Sequence, residues 1–167
     1  ESFCDRRISK TYLAVVRGFT REAERIESPL KEEVHSMNGK NADKDKPAKE
    51  AITEYQRLAT AELPYPVGRY ATARYSLVKV NPLTGRTHQI RRHMKHIFHP
   101  ILGDTTHGDG KQNDFLRQQF SCRRLLLHAQ EIAFDHPCSG QRVHVGAALD
   151  EVFHSLLVSM NWRDLPE

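Results

Sequence analysis

Cysteine is scarce in this sequence: Cys4, Cys122 and Cys138 lie far apart and form no CxxC pair. Three cysteines so far apart in sequence indicate neither a disulfide framework nor a structural zinc site. They favour a reducing, cytoplasmic environment for the protein. Long apolar runs are also missing. No stretch approaches the roughly 20 residues that a membrane-spanning helix needs, and residues 1–10 lack the apolar region of a signal peptide. We therefore expect no contact with a membrane.

An initiating methionine is absent as well, since the chain opens on Glu1 and reaches a strand-like stretch within ten residues. We expect that part of a longer protein precedes it. The 167 residues, with a hydrophobic content of 38%, suffice for a single domain with its own core. Residues 31–50 are too polar to be buried and predict a flexible surface loop within that domain.

Acidic residues are sparse in one segment of the chain. Residues 81–130 contain eight arginines and lysines but only three aspartates, whereas the whole chain has a formal net charge of +4. Clustered cations favour a polyanionic partner, because a nucleic acid releases counterions when its phosphates are neutralised. A solvated charged surface would give the same pattern.

Alternating apolar residues predict several strands. Lys10–Arg17 alternates with period two and ends at a glycine. Residues 51–60 and 69–80 are rich in Thr, Tyr and Val, and the proline-containing turn between them favours two antiparallel neighbours. Residues 125–137 and 142–147 are typical of a hairpin. Residues 21–30 are ambiguous between helix and strand, residues 103–114 are predicted to be a loop, and residues 150–162 a closing helix with Val152, Leu156 and Met160 on one side.

An amphipathic helix is predicted after the turn at residues 81–85. Thr87 is its candidate cap and Pro100 its stop. Its apolar residues recur at the spacing of one helix face: Ile90, Met94, Ile97 and Phe98.

Two arginines of this helix have different surroundings. Arg92 points away from the apolar stripe, together with His96 and His99, on the side of the helix that is expected to meet solvent or a phosphate. Arg91 lies on the flank of the stripe, where a guanidinium is costly unless a carboxylate or phosphate pairs with it. A structural ion pair or a side chain that extends to solvent would also explain Arg91.

Metal binding by the same helix is disfavoured. His93, His96 and His99 are spaced by three, so successive rings rotate by roughly −60° and the outer two cannot readily share an ion with the middle one. No HExxH motif occurs, and no cysteine is close in sequence. We expect no metal.

Several long segments resemble the RluA-type pseudouridine synthases. Lys10–Gly18 (KTYLAVVRG) is similar to the second motif of that family, Leu83–Asp104 to the third, and Arg124–Gly140 continues the similarity. Gly68–Tyr75 and His107–Asn113 favour the tRNA-directed branch over the rRNA-directed enzymes. The resemblance implies an α+β fold with a mostly antiparallel or mixed twisted sheet flanked by a few helices, of which residues 1–167 would be the C-terminal portion of one catalytic domain.

The sequence departs from the family at the nucleophile. Family members carry the catalytic aspartate in an HRLD-type motif upstream of the KxYxAxVxG strand, and no HRLD occurs here. No aspartate of this chain stands in a matching context, so we transfer the nucleophile to no residue. We expect the chain to be inactive by itself.

The resemblance assigns roles to individual residues. It implies that Tyr12 is the active-site tyrosine beside the flipped uracil, and that Arg91 pairs with the catalytic aspartate, which we expect to lie on the preceding segment. Leu127 would be an apolar wall of the base pocket, although a plain core leucine is an equal alternative. Contacts to RNA are expected from Arg86 and Arg92, and more speculatively from Arg69, Arg74, Lys95, His107 and Lys111.

The implied reaction converts a uridine within RNA to pseudouridine, at tRNA position 65 in the resembling branch. The target base must leave the stack to be reached. Neither cofactor nor metal is required, and we expect a cytoplasmic monomer whose partner is tRNA. Two alternatives remain open: a synthase of the same family that acts on rRNA, and a non-catalytic RNA-binding module.

Overall fold

A six-stranded sheet forms the centre of the protein. The computed structural model describes residues 8–32 and 47–162. The strands are β1 (Ser9–Arg17), β2 (Ala23–Glu27), β3 (Ile52–Leu63), β4 (Ala73–Pro82), β5 (Leu127–Asp135) and β6 (Arg142–Gly146), and the helices are α1 (Gln89–His96), α2 (Gly110–Phe120) and α3 (Glu151–Ser159). The strand order is β2-β3-β4-β1-β5-β6, with every pair in these two ranges antiparallel. The α+β fold class is therefore confirmed.

Both faces of the sheet are covered because β1 and β4 alternate residues between two apolar clusters. Leu13, Val15 and Leu77 face the first cluster, which also contains Leu116 of α2 and Phe153 of α3. Ala14, Val16 and Val78 face the second cluster, which Ile90 and Met94 of α1 complete. Burial on both faces makes β1 a rigid central strand. No helix in the described ranges is long and apolar enough to cross a membrane.

Most of the predicted elements are confirmed, one that was ambiguous is resolved, and one is corrected. The ambiguous residues 21–30 contain strand β2. The loop predicted for residues 103–114 is wrong in its second half, because Asp109 caps α2 by accepting hydrogen bonds from the backbone N–H groups of Lys111 and Gln112. Of the predicted loop at residues 31–50, residues 33–46 lie outside the described part of the chain; its flanks Leu30 and Lys49 form an antiparallel bridge.

The ends of α1 differ from the expectation. His88, in a left-handed conformation with φ of 52° and no side-chain cap, precedes the helix in place of Thr87. Phe98 is 79% exposed and lies outside the apolar stripe, with φ of 65°. In α3, Val152 is exposed and Phe153 takes its expected place in the core.

Candidate active site

A cleft of about 320 Å³ opens where the start of β1, the end of β4 and the N-terminus of α1 meet. Four residues singled out from the sequence line it together: Tyr12, Arg86, Arg91 and Leu127. β5 carries one extra residue opposite the step from Thr11 to Tyr12, and such bulges re-aim a side chain. The structure thus brings the predicted catalytic residues and the base-pocket leucine to one place.

A buried glutamine shapes the rim of this cleft. The Gln89 side-chain N–H groups donate to the Ile52 carbonyl at 2.9 Å and to Thr53 Oγ1 at 3.0 Å. Its Oε1 accepts from Thr84 Oγ1 at 2.7 Å and from the Arg86 backbone N–H at 3.0 Å. Four hydrogen bonds therefore fix the turn that carries Arg86 against the start of β3. Sequence reasoning missed Gln89, because polarity alone does not distinguish a buried amide from an exposed one.

Arg91 forms a bidentate ion pair with Asp104. Its Nε donates to Asp104 Oδ2 at 2.7 Å, and its Nη2 donates to Asp104 Oδ1 at 2.8 Å. The side chains are 16% and 1% exposed. The need of Arg91 for a carboxylate partner is met within this chain, in agreement with the structural ion pair considered as an alternative, and the pairing of Arg91 with a catalytic aspartate stays a prediction.

The Asp104 carboxylate is fully occupied by donors. Besides Arg91, its Oδ1 accepts backbone N–H groups of Thr106 at 2.9 Å and His107 at 2.8 Å. Burial alone would raise its pKa, but the hydrogen bond from Arg91 and those from the two N–H groups outweigh burial and lower the pKa to about 2. A buried carboxylate committed to four donors is not free to attack a substrate carbon. Its geometry suits it to position Arg91.

The loop around Asp104 has little freedom. Gly103 has φ of +77°, and a Cβ there would lie 1.9 Å from the Arg124 carbonyl oxygen. Asn113 of α2 donates to the Asp104 carbonyl and accepts from the Gly103 N–H, both at 2.8 Å. A tightly packed loop and a helix therefore set the place of Arg91 at the cleft wall.

The cleft is cationic. Lys10, Arg86 and Arg91 line it, and no carboxylate does so among residues 8–32 and 47–162. Apolar surface comes from the Tyr12 ring and from Leu127, which packs against the second core cluster. Such a cleft is complementary to a phosphate or a carboxylate beside a flat, partly apolar group.

The predicted RNA contacts fall into three groups. Arg92 and Lys95 lie on the outer side of α1, where Arg92 Nη1 donates to the Lys31 carbonyl at 2.8 Å. Arg69, Arg74 and Lys111 lie together around other cavities, away from the cleft. His107 is buried and its Nε2 lies 3.2 Å from His88 Nδ1, so its ring is not displayed as a surface contact would require.

Both ring nitrogens of His93 are held by hydrogen bonds. His93 is buried, with Nδ1 2.9 Å from Thr53 Oγ1 and Nε2 3.0 Å from the Ser28 carbonyl. Because a carbonyl only accepts, Nε2 carries the proton and Nδ1 accepts from the Thr53 hydroxyl. Burial lowers the His93 pKa, which favours this neutral form. In the described ranges, no group of three potential ligands could hold an ion.

The chain is similar to known proteins along nearly its whole length. Residues 1–96 match the family model described as RNA pseudouridylate synthase. The chain is 48% identical over 162 residues to tRNA pseudouridine synthase C of Vibrio cholerae and 46% identical over 165 residues to that of Haemophilus influenzae, covering 97% and 99% of the present chain. Among solved structures, human RNA pseudouridylate synthase domain containing 1 aligns with a TM-score of 0.64 at 24% identity, covering 97% of this chain and 69% of that one.

The matched relatives are longer than this chain. It spans 66% of the Vibrio cholerae protein and 69% of the Haemophilus influenzae protein. The tRNA pseudouridine synthase C of Pectobacterium carotovorum, 45% identical, is covered over 45% of its length.

Proposed function

Since the chain belongs to the RNA pseudouridylate synthase family, we propose that the protein it forms part of isomerises a specific uridine of tRNA to pseudouridine. The observation that carries this proposal is the cationic cleft, where Tyr12, Arg91 and Leu127 stand together. Two relatives that share 46–48% of its residues are named for this reaction on tRNA, which supports tRNA over rRNA as substrate. The uridine at tRNA position 65 is the proposed target.

The proposed reaction begins with attack on the ribose by an aspartate carboxylate. The carboxylate forms an ester with ribose C1′ as the N-glycosidic bond breaks. The uracil rotates, its C5 bonds to C1′ as the ester bond breaks and the carboxylate is regenerated, and the C5 proton is removed while N1 takes up a proton. A carboxylate entering the cleft would stand beside Lys10, Arg86 and Arg91, and a nearby cation keeps it ionised at neutral pH. We propose that this nucleophile comes from outside the 167 residues, because Asp104 is committed to its four donors.

Tyr12 and Leu127 are proposed to hold the flipped uracil. Both line the cleft, and an aromatic ring facing an aliphatic side chain suits a flat base that has left its stack. The Tyr12 hydroxyl is the proposed group for proton transfer at C5 of the uracil. Arg86, on the turn held by Gln89, is proposed to bind the phosphate of the target nucleotide.

The remaining proposals concern the partner and its surroundings. Arg92 and Lys95, on the outer side of α1, are proposed to bind the RNA backbone next to the cleft, because α1 begins at the cleft wall. We further propose a monomer that acts in the cytoplasm, where tRNA is available. No cofactor or metal enters the proposed reaction.

The test is to incubate the complete protein with unmodified tRNA and to map pseudouridine chemically at single-nucleotide resolution. Modification at one uridine of tRNA is expected, and its loss from a transcript with cytidine at that position is the control. Ribosomal RNA serves as the competing substrate. Modification of rRNA alone would refute the tRNA proposal, and modification of neither would favour the non-catalytic RNA-binding alternative. The chain of 167 residues, assayed by itself, is expected to be inactive.

Adjacent arginines separate catalysis from binding. Arg91→Ala should abolish turnover and largely spare RNA affinity, because Arg91 lies at the cleft wall. Arg92→Ala should weaken RNA binding and reduce its salt dependence, because it loses a phosphate contact. Arg91→Ala leaves the buried Asp104 carboxylate unpaired, so its thermal midpoint is measured alongside, and Arg91→Lys, which retains the charge, serves as a second variant. Equal losses of RNA affinity in Arg91→Ala and Arg92→Ala would contradict this division.

A further inference from the structure

A second concave surface lies at the other end of β1. Two adjoining cavities, of about 520 Å³ and 500 Å³, share Arg17, Tyr70 and Gln112 in their walls. We call them the distal groove. Arg17 follows Tyr12 by five strand positions, which places the groove roughly 17 Å from the cleft along β1. Among residues 8–32 and 47–162, the distal groove and the cleft have no lining residue in common.

Phe98 lines this groove from the position just after α1. Its φ of +65° is that of a Schellman cap, in which the Phe98 N–H donates to the Lys95 carbonyl at 3.0 Å and the His99 N–H to the Met94 carbonyl at 2.9 Å. Its side chain is 79% exposed, and no ring or cation packs against it within the described ranges. The backbone is nevertheless held, since Arg17 Nη2 donates to the Phe98 carbonyl at 3.2 Å. The helix cap thus presents a bulky apolar ring to solvent at a position where glycine is the usual residue.

Other aromatic rings of the groove alternate with cations. Tyr70 is 55% exposed, and the Arg69 guanidinium lies 5.2 Å from its ring centroid. Phe19 is exposed too, with the Arg74 guanidinium 5.3 Å from its ring centroid. Aromatic faces beside guanidinium groups are the arrangement on which unpaired bases stack.

The charge of the groove is positive. Within the described part of the chain, its walls contain four cations, Arg17, Arg69, Arg74 and Lys111, and one carboxylate, Asp109. The Asp109 carboxylate already accepts hydrogen bonds, because it caps α2 and forms an ion pair with Arg17 at 2.6 Å. Arg74 has a further ion pair with Glu62 at 3.0 Å, at an exposed position where such a pair is weak. The remaining charge is complementary to a phosphate backbone.

We propose that the distal groove binds an unpaired segment of the RNA, with its bases stacked on Phe98 and Tyr70 and its phosphates beside Arg69, Arg74 and Lys111. This inference rests on the proposed RNA-modifying function, and it adds a single-stranded contact outside the cleft. The positive charge favours RNA over an apolar protein segment, because an apolar partner would leave four cations in the wall of the interface.

Binding of a labelled single-stranded oligouridine to the complete protein tests the proposal. Phe98→Ala should weaken this binding by about 5- to 150-fold, the range for loss of one aromatic–base stack. Phe98→Tyr, which keeps the ring, should stay within about threefold of the wild type. Val145→Ala is the matched control, since Val145 is 51% exposed on β6 and lines neither cavity; its affinity should be unchanged.

A duplex RNA of equal length distinguishes stacking from backbone contact. Phe98→Ala should leave duplex affinity unchanged, and an equal loss on both RNAs would overturn the stacking role. Phe98→Gly should match or exceed the wild type in thermal midpoint, because glycine accepts the left-handed conformation, while still losing oligouridine affinity. Oligouridine affinity equal to wild type in Phe98→Ala and Phe98→Gly would overturn the proposal, and capture of a protein without any effect on RNA would do so too.

Photocrosslinking keeps this inference separate from the proposed reaction. RNA that carries 5-iodouridine is expected to crosslink to Phe98 or Tyr70. Crosslinks confined to the cleft would refute the proposal that the distal groove binds RNA. Pseudouridine formation is assayed in parallel. A protein that modifies no RNA but loses oligouridine affinity in Phe98→Ala would refute the proposed reaction and leave the groove standing. Normal pseudouridine formation with unaltered oligouridine affinity in Phe98→Ala would refute the groove proposal and leave the proposed reaction standing.

Discussion

Replacement of Asp104 by asparagine removes one charge from the most buried ion pair at the cleft. The amide oxygen can still accept from the Thr106 and His107 N–H groups, but the amide NH₂ would face Arg91 Nε, where two donors meet. The fall in the Asp104 pKa from 3.8 to about 2 corresponds to about 2–3 kcal/mol of stability at neutral pH. Removal of one partner of a buried pair costs roughly 3–5 kcal/mol. Because three of the four hydrogen bonds survive, including the one from Arg91 Nη2 to the retained oxygen, we expect a loss at the lower end of this range, about 3 kcal/mol.

The pH dependence of this loss follows from the direction of the pKa change. A folded-state pKa below the unfolded value means that the contribution of Asp104 is fully present well above pH 4 and is lost as pH falls towards 2. About 1 kcal/mol of it should be lost by pH 3. Urea unfolding of wild type and Asp104→Asn at pH 7 and pH 3 measures the difference, which should be smaller at the lower pH. A constant difference would refute the electrostatic explanation.

A double-mutant cycle identifies the partner. Asp104→Asn, Arg91→Met and the double variant should show a coupling free energy of at least about 1 kcal/mol, because each single change leaves a buried group unpaired. In the complete enzyme, Asp104→Asn should also lower kcat with little change in RNA affinity, since the carboxylate positions Arg91 at the cleft. Additive effects on stability would show that the two side chains do not act as a pair.

Three further predictions concern other residues. Gly103→Ala should destabilise the protein by more than about 2 kcal/mol in urea unfolding, because of its positive φ and the Arg124 carbonyl, whereas Gly110→Ala, with no atom within 4 Å of the added Cβ, should change stability by less than about 0.5 kcal/mol. His93→Asn should reduce the loss of stability between pH 7 and pH 5.5, since burial lowers the His93 pKa and the unfolded chain therefore takes up the proton first as pH falls. Tyr12→Phe should lower pseudouridine formation in the complete enzyme without changing tRNA affinity, which a filter-binding assay would check.

Strands were predictable because their two faces carry different chemistry. Lys10–Arg17 alternates residues between two apolar clusters, and the pairing of β3 with β4 follows from the turn between them. Helix α2 was missed because its buried face contains Gln112 and Asn113 beside Leu116, and polar residues give no apolar period. Their buried polar atoms are paired by tertiary hydrogen bonds, such as that from the Tyr75 hydroxyl to Gln112 Oε1. No local sequence pattern predicts hydrogen bonds between residues so far apart in the chain.

The sequence predicted which residues line the candidate site, but it did not predict which of their side chains contact one another. A cation on the flank of an apolar stripe has to find an anion, so the need of Arg91 for a partner could be inferred from its position. Which anion it finds depends on a loop that returns 13 residues later, and that return is held by Gly103 and Asn113. Asp104 directly follows the apolar residues Ile101 and Leu102 and Gly103, and this position was the available sign that its carboxylate is buried and needs a cationic partner. Phe98 was assigned to the core because its spacing fits the stripe, but the helix ends before it.

Helix α1 gives the cleft and the distal groove a fixed relation. Its first turn carries Arg91 at the cleft, and the chain just beyond its end carries Phe98 at the groove. The helix between them, Gln89–His96, is about 12 Å long. Ile90 and Met94 anchor the inner side of the helix on β3 and β4, so its outer side, with Arg92 and Lys95, is the surface between the two sites. An RNA strand that occupies both sites must therefore cross these cations, and the spacing that it meets is set by the packed core and not by a mobile loop.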